Sequence, residues 1–585
     1  MYLETINSPS DLKKLNIKQL NSLAGEIRDA LIKKMSIGGG HLASNLGIIE
    51  ATIALHYVFE SPKDKIIFDV SHQCYTHKIL TGRKAGYIDP KFFDLIEGYT
   101  KPSESDHDIF RLGHTATSIS LASGMAKARD LRGGNEKIIA VIGDGALSGG
   151  EAFEGLDYCG SEINGNFIVV FNDNQMSIPE NHGGIYEGFK KLRDTEGKSN
   201  DNLFKVFGYD YIFVKDGNNI KDVVEALNRI KDNNHPIVVH ICTVKGKGYR
   251  YSENNPEKTH FVRKFDVDTG EEVYQFNGER YDRIVRDYLL EKMKQDPLVV
   301  TMIASVPNAL SFSKEYRLEA GRQFVDVGIA EEHAVTMLAG LAKGGCKPVF
   351  TTLSTFFQRT YDQISQDLCI NETPATLIVV DASVYATNDI THVGIFDIPM
   401  LSNIPNLVYL APTNKQEYLA MLDWSIEQKK HPVAIRAPRN GVFYAKYDVD
   451  TEYNEINKYM VIQQGEEVAI IALGDFFQLG EELSTKITEK YGYVPTIINP
   501  RFITGLDKEL LTRIKDNHNI VITLEDGILD GGFGQKIASF YGDSNIKVLN
   551  YGLKKEFLDR YNVNAIMEEN HLKPEMIIHD MNALN

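Results

Sequence analysis

A chain of 585 residues is too long for a single hydrophobic core and calls for several domains. Its 43% hydrophobic and 24% charged residues are the balance of an ordinary globular protein, and a formal charge of −17 argues against nucleic acid or an anionic membrane as partner. No signal-type apolar segment opens the chain, and no stretch approaches the ~18 apolar residues of a membrane span, so it reads as soluble and cytoplasmic.

Five cysteines, Cys74, Cys159, Cys242, Cys346 and Cys369, are scattered without metal-type spacing. They read as reduced, mostly buried thiols. In chain order, Ser8-Pro9-Ser10-Asp11 marks a helix start, followed by Leu12, Leu15, Leu20, Leu23, Ile27 and Leu31 at mostly helical spacing. The helix runs into Gly38-Gly39-Gly40-His41, where three glycines abolish regular structure and present a histidine. A strand over 66–69 leads into DVSHQCYTHKILTGR, with His72 and His77 past its end. Arg111-Leu112-Gly113-His114 reads as a repeat of the same pattern, so His72, His77 and His114 are placed at strand ends around a polar pocket. His77 is also a candidate for a purely structural histidine.

Two apolar, β-branched runs, 138–142 and 167–171, have the length of buried parallel strands. The first stops at Gly143-Asp144-Gly145. A helical segment with Glu151, Phe153, Glu154 and Leu156 follows, and the second run stops at Asn172-Asp173-Asn174. That is one βαβ unit, in which both strand ends emerge on the same sheet edge, where open α/β sheets bind ligands. A carboxylate, a carboxamide oxygen and nearby carbonyls suit a hard divalent cation that completes its shell with phosphate oxygens. Gly143 and Gly145 allow close main-chain approach of an anion. Gly-Asp-Gly alone is an ordinary turn; the pairing with Asn-Asp-Asn after a second strand gives it meaning.

Segment 180–205 is polar and rich in glycine, with no apolar period, and reads as a mobile loop. Strands at 211–214 and 236–242 lead into TVKGKGY, where Lys245 and Lys247 form a basic spot suited to phosphate; His260 follows. Strand propensity falls over 265–281, the first linker. A second α/β pattern has strands at 298–303, 323–329, 348–352, 375–380 and 407–410 and ends near Arg439. A third has strands at 467–473, 495–498, 519–524 and 547–549, without a polar constellation of its own. The fold class is α/β, with domains at 1–270, 280–445 and 458–585 and mainly parallel sheets.

In the second domain Val327-Gly328-Ile329-Ala330-Glu331-Glu332-His333 sets two acids just past a strand, and the residues alone make Glu331 and Glu332 equal candidates for a functional carboxyl. LSTFFQRTYDQI brings Phe356 and Phe357 near a strand end, where an aromatic face can stack on a ring and the other can belong to the core.

GDG, 26 residues (146–171), then NDN resembles the thiamine-diphosphate signature of transketolase-like enzymes. GDGALSGGEAFEGL and NDNQMSI resemble the motifs of 1-deoxy-D-xylulose-5-phosphate synthases almost word for word, and the likeness covers nearly the whole chain. It implies a transketolase-like layout of two thiamine-diphosphate-binding-fold domains and a C-terminal α/β domain, in a homodimer. It implies Mg²⁺ held by Asp144, Asn174 and the Met176 carbonyl, and thiamine diphosphate contacted by His72, Gly113, His114, Gly143, Gly145, Ala146, Lys245 and Phe356. Glu331 would be the activating carboxyl, with His41 and His392 as catalytic partners and His260, Arg359, Asn388 and Arg439 facing the substrate.

The implied reaction decarboxylates pyruvate and passes a two-carbon acyl-anion unit to an aldehyde, D-glyceraldehyde 3-phosphate in the synthases, giving a product of the kind that feeds isoprenoid or thiamine biosynthesis. Departures cluster on the acceptor side. The family's Asp-Arg-Ala-Gly is Asp381-Ala382-Ser383-Val384, so a phosphate-binding arginine becomes Ala382. An acceptor-site aspartate becomes Asn388, and a tyrosine becomes Leu353. The segment 97–108 lacks a Gly-Gly-Leu stretch, and the loop after Met176 is shorter than in the family.

Overall fold

Among the described residues the β-branched runs form sixteen strands in three sheets. The first holds β1 (Lys65–Phe68), β2 (Ile138–Gly143), β3 (Phe167–Asp173), β4 (Asp210–Val214) and β5 (Ile237–Cys242) in the order β1-β2-β3-β5-β4, all parallel. The second holds β6 (Val299–Ile303), β7 (Phe324–Asp326), β8 (Lys347–Leu353), β9 (Ala375–Val380), β10 (Val408–Leu410) and β11 (Pro432–Arg436) in the order β10-β11-β9-β8-β6-β7, again all parallel. The third holds β12 (Met460–Gln463), β13 (Glu467–Ala472), β14 (Thr496–Asn499), β15 (His518–Ile528) and β16 (Lys547–Leu553) in the order β12-β14-β13-β15-β16, with only β12 antiparallel.

This computed structural model describes residues 1–274 and 276–584; the sequence-read linker at 265–281 and third domain thus include one residue each, 275 and 585, outside the described set. The chain divides into one unit of Met1–Asn277 with Gly328–Ala330 and another of Gly278–Val327 with Glu331–Asn585. The second unit contains the second and third sheets, and one apolar cluster joins them, with Leu377, Val379 and Tyr409 packed among Ile471, Ile498 and Phe533. In the first unit β3 is buried along its whole length, as a strand covered on both faces must be.

Several sequence expectations need correcting. The first helical stretch is two helices, Pro9–Leu12 and Ile17–Gly38, because Asn16 caps the second: its side chain accepts from the Gln19 N–H, and the Gln19 side chain returns the bond. The helix carries through Gly38 and stops at Gly39, whose φ is +72°. Segment 180–205 is not a loop throughout. Ile185–Asp194 is a helix with Phe189 and Leu192 buried, and Ile185, Tyr186, Phe189 and Leu192 supply the helical period that the surrounding polar residues mask. A second short helix spans Leu203–Val206. β11 and β12 have no counterpart among the strands read from sequence.

Candidate active site

In the first unit β2 and β3 run side by side with Gly143 opposite Asn172, so the two polar turns leave the sheet at the same level. Asp144 is buried. One carboxylate oxygen accepts from the Gly145 N–H at 3.0 Å, and the other from the Asn181 amide at 2.8 Å. The Gln175 N–H also stabilises the charged form. Burial first, then the nearby Asp173 charge, push the Asp144 carboxyl up to about 7, against the pull of Lys245. A carboxylate held in so unfavourable a setting gains from a bound cation.

Asn174 closes a turn over Gln175, its side-chain oxygen accepting from the Met176 N–H at 3.1 Å, while Gln175 sits at φ +65°. A carboxylate just past the end of β2, and a carboxamide and a carbonyl just past the end of the adjacent β3, are the hard donors that a magnesium-type ion takes. Gly145 is glycine because a Cβ there would lie 2.9 Å from Ser177 Cβ. Gly143 differs: its backbone is ordinary and a Cβ would meet nothing within 4 Å, so no protein atom demands glycine there. Lys245 is buried with its ammonium on the Ser177 carbonyl, and burial lowers it to about 8 although Asp144 pulls the other way.

The histidine reading changes. His72 follows β1, but His114 follows an irregular segment rather than a strand. His77 turns away into a buried network: its Nδ1 meets His56 Nε2 at 2.9 Å, its Nε2 meets Asp108 at 2.8 Å, and Arg83 donates twice to Asp108. The histidines that gather are His41, His72 and His260, with ring centroids 5.1 to 5.5 Å apart. Burial, then the charges of Lys245, His72 and His41, hold the His260 pKa well below its ordinary value.

Two positioning residues escaped the sequence reading. Asn45 donates to the carbonyls of His41 and His72 at 2.7 and 2.8 Å and accepts from the Tyr75 N–H, tying both histidine segments together. Asp69 accepts from the N–H groups of Ala116 and Ser118, fixing the segment that carries Gly113 and His114 to the end of β1. Asn45 lies in no motif, and Asp69, which opens DVSHQCYTHKILTGR, gives no sign in sequence of the distant N–H groups it holds, so only contact reveals either role.

In the second unit Glu331 opens the helix Glu331–Lys343 and is buried, whereas Glu332 is only half-buried. Its Oε2 has no hydrogen bond, and the Arg359 guanidinium stands 4.0 Å away. Burial lifts the Glu331 carboxyl to about 7, with Arg359 opposing. Phe357 lies in the core beside Phe350, while Phe356 is half-buried with His392 edge-on at 5.6 Å. His392 Nδ1 meets the Thr391 hydroxyl at 2.8 Å. Burial alone would raise Asp389, but hydrogen bonds from His392 and Thr391 outweigh it and bring its carboxyl to about 2.

Among the residues expected to face the acceptor, Arg439 Nε pairs with Asp381 at 3.0 Å. Ala382 is packed into the apolar cluster, and Leu353 is half-buried at the end of β8. The Asn388 amide reaches the Tyr561 carbonyl, and its own carbonyl accepts from the Arg560 N–H.

The third sheet does carry polar residues, contrary to the sequence reading. Glu525 and Asp526 on β15 are buried, with Asp475 close by. Arg436 on β11 bridges Asp397, at 2.8 Å, and Asp526. Glu525 accepts from the N–H groups of Phe533 and Gly534, yet burial raises its carboxyl to about 8. The apolar residues flanking the pair on the strand hid it.

Four family descriptions match the sequence: 1-deoxy-D-xylulose-5-phosphate synthase over residues 3–200; transketolase, thiamine diphosphate binding domain, over 114–292; transketolase, pyrimidine binding domain, over 280–443; and transketolase, C-terminal domain, over 457–577. The chain is 39% identical to a 1-deoxy-D-xylulose-5-phosphate synthase of Caldanaerobacter subterraneus subsp. tengcongensis, covering 98% of both chains. It is 38% identical to the synthase of Alkaliphilus oremlandii, covering 99% of this chain and 98% of that one. With that of Clostridium acetobutylicum it shares 37% identity over 96% of each. The chain belongs to the 1-deoxy-D-xylulose-5-phosphate synthase family.

Proposed function

We propose that this chain is a thiamine-diphosphate-dependent, Mg²⁺-requiring transferase that decarboxylates pyruvate and joins the two-carbon unit to D-glyceraldehyde 3-phosphate, giving 1-deoxy-D-xylulose 5-phosphate and CO₂. The observation that carries it is identity of 39% across 98% of a chain of that name. The proposed domains are 1–270 for the diphosphate and metal, 280–445 for the pyrimidine and 458–585 at the C-terminus, with a cytoplasmic homodimer as the working form. Among the described residues no helix is long and apolar enough to cross a membrane.

Bound thiamine diphosphate supplies the electron sink that lets pyruvate lose CO₂. The residues do the rest. Asp144, Asn174 and the Met176 carbonyl would hold the cation, with the Asn181 amide orienting Asp144. Lys245 would neutralise diphosphate, and Gly113, His114, Gly143, Gly145 and Ala146 would line it. Glu331, desolvated and able to carry a proton near neutral pH, would hold a hydrogen bond to the pyrimidine ring, against which Phe356 would lie. His41, His72, His260 and His392 would handle protons around the reacting carbons, and Arg359, Asn388 and Arg439 would receive the acceptor. Release of CO₂ from pyruvate that depends on Mg²⁺, thiamine diphosphate and glyceraldehyde 3-phosphate tests this. A transketolase would instead move glycolaldehyde units without CO₂, and failure to bind thiamine diphosphate would mark a catalytically silent member.

A second reading keeps the decarboxylation and changes the aldehyde. It is favoured by Ala382, Asn388 and Leu353, and by the engagement of Arg439 with Asp381. A guanidinium that no longer grips a phosphate removes a charge-assisted contact of about 1.5–3 kcal/mol.

A further inference from the structure

Asp173 on β3 faces Cys242 on β5 in register, and His240 precedes Cys242 by two residues, so all three side chains leave one face of two neighbouring strands. His240 Nε2 lies 2.9 Å from Asp173 Oδ2 and 3.9 Å from Cys242 Sγ, and one donor atom from each residue falls within 4.8 Å of the others. Asp173 and His240 are buried and Cys242 is half-buried. Arg193 and His240 both engage Asp173 Oδ2, whereas Oδ1 is buried without a hydrogen bond.

We propose that Asp173, His240 and Cys242 form a zinc site that clamps β3 to β5. The mixed oxygen, nitrogen and sulfur donor set selects a borderline-soft dication over magnesium. Tetrahedral zinc bonds of about 2.0–2.3 Å set ligand atoms roughly 3.3–3.6 Å apart, so His240 Nε2 and Cys242 Sγ, now 3.9 Å apart, draw together slightly on binding. Asp173 would coordinate through Oδ1 and keep Arg193 on Oδ2. Without metal, Nε2 carries the ring proton, because the Asp173 carboxylate 2.9 Å away can only accept; on metal binding the ring takes the other tautomer, with Nδ1–H donating to the Tyr211 hydroxyl 2.7 Å away and a bare Nε2 turned to the metal. On coordination the Cys242 thiol releases its proton to solvent and sulfur donates an electron pair, with no change of oxidation state. Carboxylate, thiolate and neutral imidazole then balance the dication, and a water reaching the half-exposed Cys242 side completes four-coordination.

The test is a Co²⁺ titration of the full-length protein saturated with Mg²⁺ and thiamine diphosphate. The expected result is a sulfur-to-cobalt charge-transfer band at one equivalent per chain, absent in Cys242→Ser and shifted to at least ~10-fold weaker binding in Tyr211→Phe. No such band in the parent protein, or its persistence in Cys242→Ser, overturns the proposal. Should Cys242→Ser fail to fold, alkylation mapping of the parent decides: Zn²⁺ is expected to slow Cys242 labelling at least tenfold while leaving Cys346, the other half-buried thiol, unchanged. Equal labelling with and without Zn²⁺ overturns it. These readouts do not pass through the transferase reaction, so failure here is distinguishable from failure of the proposed function.

Discussion

The Arg359 guanidinium stops 4.0 Å short of a Glu331 oxygen that has no hydrogen bond. The arginine draws the acid towards ionisation, while burial, the larger effect, holds it protonated to about pH 7. Arg359→Gln removes the charge that opposes burial, so the Glu331 titration is expected to move above 7. Difference infrared spectra of the carboxyl stretch would read it, and a downward move would contradict the assignment. Glu331→Gln should cut kcat about 10²- to 10⁴-fold with little loss of cofactor affinity.

Asp144 and Glu331 both keep a proton in the folded state to about pH 7, from ordinary values of 3.8 and 4.5. The unfolded chain gives up those protons first, so the contribution of these two groups to apo stability falls as pH rises from about 4 to 7 and levels off above, and Glu331→Gln, which carries no titrating proton, should reduce it. Mg²⁺ with thiamine diphosphate should therefore raise Tm by a few degrees, more at pH 8 than at pH 5, where Asp144 must first lose its proton. Differential scanning fluorimetry checks both trends, and Asp144→Ala should abolish the ligand-induced rise.

Arg439→Leu should raise KM for a phosphorylated aldehyde about 10- to 100-fold and leave an unphosphorylated one nearly unaffected. Asp381→Asn loosens the 3.0 Å pair and should move KM the other way. Steady-state assays across phosphorylated and unphosphorylated aldehydes would separate the two acceptor readings, and a clear preference for glyceraldehyde 3-phosphate would remove the second.

Burial holds His56 and His77 below their ordinary pKa, so the unfolded chain protonates first and this pair's contribution to stability falls as pH drops below about 6.5, opposite in sign to that of Asp144 and Glu331. Denaturant midpoints of the parent and of His56→Phe at pH 7 and pH 5 isolate it: the variant should lose less stability, or gain more, than the parent on going to pH 5. Asp108→Asn leaves the buried Arg83 without its two-oxygen partner and should cost about 3–5 kcal/mol.

Where one stretch of sequence carries both pattern and chemistry, the reading held closely: strands 138–142 and 167–171 became β2 and β3 with a residue or two added, and the turns at Asp144 and Asn174 stand side by side. It failed where meaning arises only across strands. Asp173 and His240 are 67 residues apart in sequence and 2.9 Å apart in space. Arg436 and Asp526 meet from different sheets, and the apolar neighbours of each resemble core. The strand Met460–Gln463 is half-buried throughout and short, so it offered neither alternation nor a continuous apolar run. For His77 the structural alternative read from sequence is the one the buried partners His56 and Asp108 favour, though both lie outside its motif.

The segment from Asp381 to Phe396 is pinned at its base, where a Cβ on Gly394 would overlap the Asp381 carbonyl, and at its tip, where Asn388 meets Tyr561 and Arg560. Ala382 and Asn388 lie on it and Leu353 beside it, while Glu331 and Asp144 sit on other elements. On the proposed reading, choice of co-substrate would drift through edits to one strap, so that a lineage would retool what it consumes without rebuilding the machinery that ignites the vitamin.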